Sequence, residues 1–252
     1  MAQVLAVPGD VRHGFSYIGQ FNHDFGRITG IASTIKGNIL VCDYDKKNLI
    51  LVDHHGNYLK KLDLDSEPYD VAITTVPNTG RDFSRKAPCL LGLIDGGYMY
   101  AGAVNCEKFS FSNILSNALE IGSRVVKFQT VDADSCLSCI GGQNYILYKE
   151  RWENQQKIYD ITTMDTPTDI CSDNNGHMYV SGQESNNIHR LAEDRKRSNI
   201  SLRMESDWKV LDIPLDSHHG IKKPVALCFN QDYSRLYIVN DWGKSVLVFD
   251  VI

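Results

Sequence analysis

A chain of 252 residues, 42% hydrophobic and 23% charged with a net charge of −5, fits a folded globular protein and lacks the basic excess of a general nucleic-acid binder. No run reaches the roughly 20 apolar residues of a membrane helix, and the opening MAQVLAVPGDVRHGF has neither the basic start nor the apolar core of a secretory signal. A cytoplasmic protein with no membrane partner is expected, and seven cysteines without such a signal read as free thiols.

In chain order, residues 1–14 read as a flexible N-terminal segment of a single domain spanning 1–252. Residues 15–21 (FSYIGQF) have strand character but no hairpin partner nearby. Residues 28–53 then give three short apolar runs: Gly30-Ile31-Ala32, residues 39–42 and residues 49–52. Lys36-Gly37-Asn38 between the first two is a hairpin signal, because Gly and Asn tolerate positive φ. The unbroken apolar run Leu49-Ile50-Leu51-Val52 indicates a strand buried on both faces. His54-His55-Gly56-Asn57 turns into a fourth strand over residues 58–64.

The middle third is less regular. Residues 69–73 read as a first strand, residues 89–93 and 98–101 as a hairpin around Asp95-Gly96-Gly97, and residues 125–130, 136–140, 145–148 and 157–161 as four further strands. Residues 78–86 and 192–207 are expected to leave the body as loops, the second being rich in charge. The organisation of 28–53 returns without a gap in residues 167–192 and 225–250. Ile31 falls on Ile170 and Cys228, Val41 on Val180 and Ile238, and Leu51 on Arg190 and Val248. Cys42, Cys171 and Cys228 lie in these strands, where Cys serves as a small apolar residue.

A repeat of about 40 to 50 residues built from short strands is the mark of a β-propeller. The expected fold is all-β, with five to six four-stranded blades. The last copy ends at Ile252 with no fourth strand of its own, so the strand at 15–21 is expected to pair with the C-terminal blade and close the ring.

Gly30-Ile31-Ala32, Gly37-Asn38-Ile39-Leu40-Val41-Cys42-Asp43 and Asn48-Leu49-Ile50-Leu51-Val52-Asp53 resemble the NHL repeat. So do Tyr237-Ile238-Val239-Asn240-Asp241 and Val246-Leu247-Val248-Phe249-Asp250. The whole is similar to the C-terminal NHL-type propeller of tripartite-motif proteins, over residues 28–64, 165–192 and 222–252. That resemblance implies a recognition module recruiting a protein partner, as in a ubiquitin ligase whose RING domain lies elsewhere; RNA binding is the alternative. Neither the Cys/His array of a zinc-binding RING or B-box nor a long heptad helix stands in this sequence. The chain is therefore expected to be non-catalytic.

The loops between the second and third strands of each copy, and the segments leading into each copy, emerge on one face. They bring Tyr44, Lys46, Lys47, Tyr69, Lys223, Trp242 and Lys244 to it, and exposed aromatics beside cations suit a protein hot spot or base stacking. Packing between blades is the plainer role for Tyr44 and Trp242. Cys136-Leu137-Ser138-Cys139 in an extended strand points its thiols to opposite faces, and the pairs His54-His55 and His218-His219 sit in ordinary turns, so no metal or cofactor is expected. No GxSxG, GxxxxGK[ST] or HExxH motif occurs. A further alternative is a propeller hydrolase or lyase with a metal in the channel, for which only Asp70 and Asp169 lie near the innermost strands.

Overall fold

The computed structural model describes residues 13–34, 36–65, 67–73, 88–95, 98–105, 110–111, 119–123, 125–130, 135–140, 142–150, 156–197 and 204–252. Its elements are β-strands apart from two 3-10 turns, Ser217–His219 and Asp241–Gly243. The expected flexible segment at 1–14 and the expected loop at 78–86 fall wholly or largely outside these residues. No helix among the described residues is long and apolar enough to cross a membrane.

The chain opens with β1 (Phe15–Phe21) and then runs through five sheets in turn. The first sheet holds β2 (Ile28–Ser33), β3 (Ile39–Asp43), β4 (Asn48–Val52) and β5 (Tyr58–Asp63). The second holds β6 (Pro68–Ile73), β7 (Pro88–Asp95), β8 (Tyr98–Asn105), β9 (Ser110–Phe111) and β10 (Leu119–Ser123), with β9 and β10 both pairing β8. The third holds β11 (Val125–Thr130), β12 (Ser135–Ile140), β13 (Tyr145–Glu150) and β14 (Gln156–Asp160). The fourth holds β15 (Pro167–Ser172), β16 (Met178–Gly182), β17 (Asn187–Arg197) and β18 (Met204–Leu215). The last holds β19 (Ala226–Phe229), β20 (Arg235–Asn240) and β21 (Ser245–Val251), completed by β1. The fold is an all-β propeller. Its expected five to six four-stranded blades are corrected, among the described residues, to four sheets of that plan, the β6–β10 sheet carrying five strands.

Turn chemistry explains the meander. Gly37 and Gly176 supply φ of 79° and 82° at matching places in their hairpins. The third copy has no glycine there and reverses one residue earlier, through Tyr233 at φ 58°. A second departure lies in the expected loop at 192–207, of which residues 192–197 and 204–207 belong to the β17–β18 ladder, paired out to Arg197↔Met204.

The core lies between sheets and not at the axis. Val41, Val52, Tyr237 and Val248 pack the first sheet against the last, while Leu137, Ile146, Met178 and Val180 pack the third against the fourth. Wedges of this kind leave the first strand of each sheet around a central channel. Two threonines tie these strands laterally. Thr29 Oγ1 donates to Pro68 O at 3.0 Å and Thr168 Oγ1 to Pro224 O at 3.0 Å, each crossing to the segment that begins the neighbouring sheet. The ring closes where expected: β1 pairs antiparallel with β21 from Phe15↔Val251 to Phe21↔Val246. Arg190, itself held by Asp212 at 2.8 and 2.6 Å, also donates to His13 O at 2.8 Å, fastening the N-terminal strand to the fourth sheet as well.

Candidate active site in the propeller channel

A β-bulge recurs at one place in the inner strands. Register shifts between Ile28 and Gly30 in β2, Pro68 and Asp70 in β6, Val125 and Lys127 in β11, and Pro167 and Asp169 in β15. Bulges re-aim the side chain that follows them. Gly30, Asp70, Lys127 and Asp169 are therefore equivalent positions around the channel, and three of the four are charged.

Lys127 is the centre of the group, its side chain only 4% exposed. Its Nζ donates to Asp70 Oδ1 and lies 3.6 Å from Asp169 Oδ1. Backbone amides hold the carboxylates: Val71 N donates to Asp70 Oδ1 at 2.6 Å, Ile170 N to Asp169 Oδ1 at 2.7 Å, and Leu227 N to Asp169 Oδ2 at 2.6 Å. Inner strands of the second, third, fourth and last sheets thus meet in one buried polar cluster.

Two carboxylates share one cation, and burial disfavours ionised groups. Burial raises the pKa of Asp70 against the lowering effect of Lys127. Asp169, farther from the ammonium, is pushed up to about 7 by burial, with Lys127 opposing and Asp70 adding to the rise. Burial acts to lower the pKa of Lys127, but the carboxylates of Asp169 and Asp70 outweigh it and the net shift is upward. Burial also raises the thiols of Cys42, Cys139, Cys171 and Cys228, all of them free.

The cluster lines a cavity of about 160 Å³. Ser33, Gln129, Ser172, Gln231 and Tyr233 also line it. Gln231 Nε2 donates to Ser33 O at 3.0 Å. The Ser33 hydroxyl is buried, the residue being 4% exposed, and has no hydrogen-bond partner. Tyr233 faces this cavity from its left-handed turn, with its ring 5.9 Å from that of Phe229.

Asp70 and Asp169 are the carboxylates that a channel metal would need, and the structure does bring them together. A hard divalent cation does not fit them as they stand. Lys127 occupies the space between them, backbone amides take further lone pairs, and the described residues hold no group of three or more His, Cys, Asp or Glu suited to a metal.

Gly30 is the uncharged member of the ring of equivalent positions. A Cβ there would lie 2.9 Å from Asp70 Cα and 3.2 Å from Asp70 Oδ1. Gly30→Ala is expected to push β6 away and lower stability by about 1–3 kcal/mol, read as the midpoint of urea denaturation. An unchanged midpoint would mean that β2 and β6 are not pressed together as described.

The residues proposed from sequence lie at the opposite end of the inner strands. Their loops lead into these strands, whereas the cavity is lined by the strands' later halves and the turns that follow. They form two groups. Tyr44 and Tyr69 meet edge to face at 6.5 Å, Arg27 stacks over Tyr44 at 4.3 Å, and Lys47 pairs with Glu67 at 2.9 Å. Lys223 pairs with Glu184 and lies 5.6 Å from the Trp242 ring centroid, and Trp242 is 47% exposed in a left-handed turn. Lys46 pairs with Asp24 at 2.9 Å and Lys244 with Asp241 at 3.9 Å. Each lysine of the set therefore has an acid beside it, and the face is not a field of free positive charge.

No family model matches the chain, and no curated protein matches it, so the likeness to NHL repeats rests on the residues quoted above. Solved structures do match. A streptogramin B lyase aligns at 10% identity and TM-score 0.51, over 94% of this chain and 98% of its own. The PQQ-bound aldose sugar dehydrogenase of Streptomyces coelicolor aligns at 11% identity and TM-score 0.52, over 96% and 99%. A protein of unknown function from Bacteroides thetaiotaomicron aligns at 10% identity and TM-score 0.51, over 96% and 76%. At such identities the likeness shows the β-propeller fold. It also overturns the expectation of a chain without chemistry of its own, since two of these propellers are named enzymes and the fold gives no ground for that exclusion.

Proposed function

We propose that this chain is a catalytic propeller of the lyase or hydrolase kind, acting on a small polar substrate by proton transfer at Asp169 in the channel cavity. The observation that supports this reading most is the Asp169 carboxyl. It is buried on the wall of a cavity, and its pKa of about 7 lets it exchange a proton near neutrality. Lys127 donates to Asp70 and stands farther from Asp169, which leaves Asp169 as the carboxyl that takes up and releases the proton.

In an elimination, the Asp169 carboxylate accepts the proton from the carbon beside the breaking bond. The C–H electron pair becomes the new π bond, and the leaving group departs with its bonding electrons and receives the proton back from Asp169. In a hydrolysis, the same carboxylate accepts a proton from the water that attacks the carbonyl carbon; the bond to the leaving group then breaks with its electron pair going to that group, which receives the proton back from Asp169. The Lys127 ammonium offsets negative charge that builds on the substrate, in a site from which bulk water is largely excluded.

The test is turnover by the purified chain on a panel of esters, lactones, and β-substituted amines and acids. The rate constant kcat/KM is expected to rise with pH through about 7, because the working form of Asp169 is the deprotonated one. Asp169→Asn is expected to lose about 10²–10⁴-fold. Turnover that is flat from pH 5 to 9, turnover that survives in D169N, or no D169N-sensitive turnover across the panel overturns the reading.

A further inference from the structure

We propose that the channel cavity takes a small ammonium-bearing molecule, its nitrogen at Asp169. The inference rests on the reading of this cavity as the substrate site and names the chemical class of its ligand.

Charge is the first argument. The lining carries two carboxylates, Asp70 and Asp169, against one ammonium, Lys127. Its other polar side chains, Ser33, Gln129, Ser172, Asn230, Gln231 and Tyr233, are neutral. With both carboxylates ionised the wall is one positive charge short. The deficit lies at Asp169, since Lys127 is hydrogen-bonded to Asp70 and 3.6 Å from Asp169. An ammonium group brings the missing charge with donors of its own, whereas an anion meets an uncompensated carboxylate in a medium that screens poorly. A divalent cation would have to displace Lys127 from between its partners.

Size sets the second limit. A volume of about 160 Å³ is close to the ~150 Å³ that accommodates benzene, so the ligand, or the part of it that enters, has roughly six to eight non-hydrogen atoms.

The pH dependence follows from the groups that face Asp169. These are Lys127 from β11, Asp70 from β6, and the thiols of Cys139 from β12, Cys171 from β15 and Cys228 from β19, which burial keeps protonated. None of the thiols changes charge near neutrality, so the charge change there belongs to the carboxyl pair and is carried by Asp169. An ammonium ligand favours the deprotonated form and therefore binds more tightly as pH rises from 6 to 8.

The probes are ethanolamine, the anion glycolate, neutral ethylene glycol and Mg²⁺, titrated into the full chain at pH 6 and 8 and followed by NMR shifts of the residues that line the cavity. Ethanolamine is expected to bind at least tenfold more tightly than glycolate or ethylene glycol at pH 8, and more weakly at pH 6. Asp169→Asn is expected to lose tenfold or more. Where D169N fails to fold, the preference of the native chain for ethanolamine at pH 8 and its weakening at pH 6 carry the test. Preference for glycolate, ethylene glycol or Mg²⁺ at these residues overturns the ligand class while leaving the cavity as a site. No binding by any probe, with D169N-sensitive turnover on the panel, overturns it in the same way. No binding and no such turnover overturns the ligand class and the catalytic reading together.

Discussion

Lys127→Met is expected to lower the stability of the fold by about 3–5 kcal/mol at pH 8, the usual cost of removing one partner from a buried ion pair. The chain length of Met preserves most of the packing, so the loss reports charge. At pH 8 the variant leaves two buried carboxylates facing each other without a cation, where the native cluster has an ammonium bonded to one and 3.6 Å from the other. The pH dependence has a definite sign. Both carboxyls have folded pKa values above the ordinary 3.8, Asp169 at about 7. A carboxyl raised in this way favours the folded state below its unfolded pKa, and that contribution is lost as pH climbs through the folded value. In the variant the rise is larger still, so at pH 5 much of the pair can stay protonated and the deficit shrinks. Urea denaturation of both proteins at pH 5 and 8 decides the matter. A gap that is equal at the two pH values would mean that Lys127 acts through the packing of its methylene stem.

The same cluster shows what the sequence could and could not convey. Strands were legible because their causes are local: the run Leu49-Ile50-Leu51-Val52 becomes β4, buried between its neighbours, and Lys36-Gly37-Asn38 becomes a turn with Gly37 at positive φ. Even the irregular middle third keeps these signals, and residues 125–130 and 136–140 fold as β11 and β12. The site was less legible because it depends on a bulge. Asp70 and Asp169 stood out as acids near inner strands, but Lys127 reads as a stray charge in Val125-Val126-Lys127-Phe128. Only the register shift after Val125 makes it equivalent to Asp70 and Asp169 and points all three at the channel. The clue was there: a lysine inside an apolar inner strand has to meet a buried carboxylate.

Attention to aromatics beside cations selected the other end of the channel for a comparable reason. Tyr44, Tyr69 and Trp242 announce themselves by type, whereas the burial of Lys127 beside two carboxylates shows only in the folded ring. The pairing of Lys47 with Glu67 and of Lys223 with Glu184 is likewise invisible in sequence, since the partners come from different sheets or the segments between them. Equivalent positions around a ring are where such long-range matches arise. A charge at one bulge is compensated by a charge at the next, and no single repeat contains both.

Removing residues 1–21 is expected to be the second severe change, costing more than the ~3–5 kcal/mol of truncating one buried Phe. β1 supplies the last strand of the last sheet, and Phe21 sits in the core between that sheet and the first. Its loss also withdraws Phe15 from Tyr179 and Phe229, whose rings lie 5.8 and 6.4 Å away. Without it, the outer edge of β21 presents the unpaired backbone of Val246, Leu247, Val248 and Phe249, an apolar stretch of the kind that recruits other chains. The truncated protein should therefore unfold at lower urea and form oligomers that grow with concentration, followed by light scattering. A synthetic peptide of residues 13–25 added in excess should restore the monomer, because it carries the whole of β1 and leaves the rest of the ring unchanged. A truncated chain that stays monomeric with an unshifted midpoint would show that the ring is held by its remaining sheets. Rescue by the peptide would show instead that closure resides in one strand, the geometry that keeps Asp70, Lys127 and Asp169 within reach of one another around the channel.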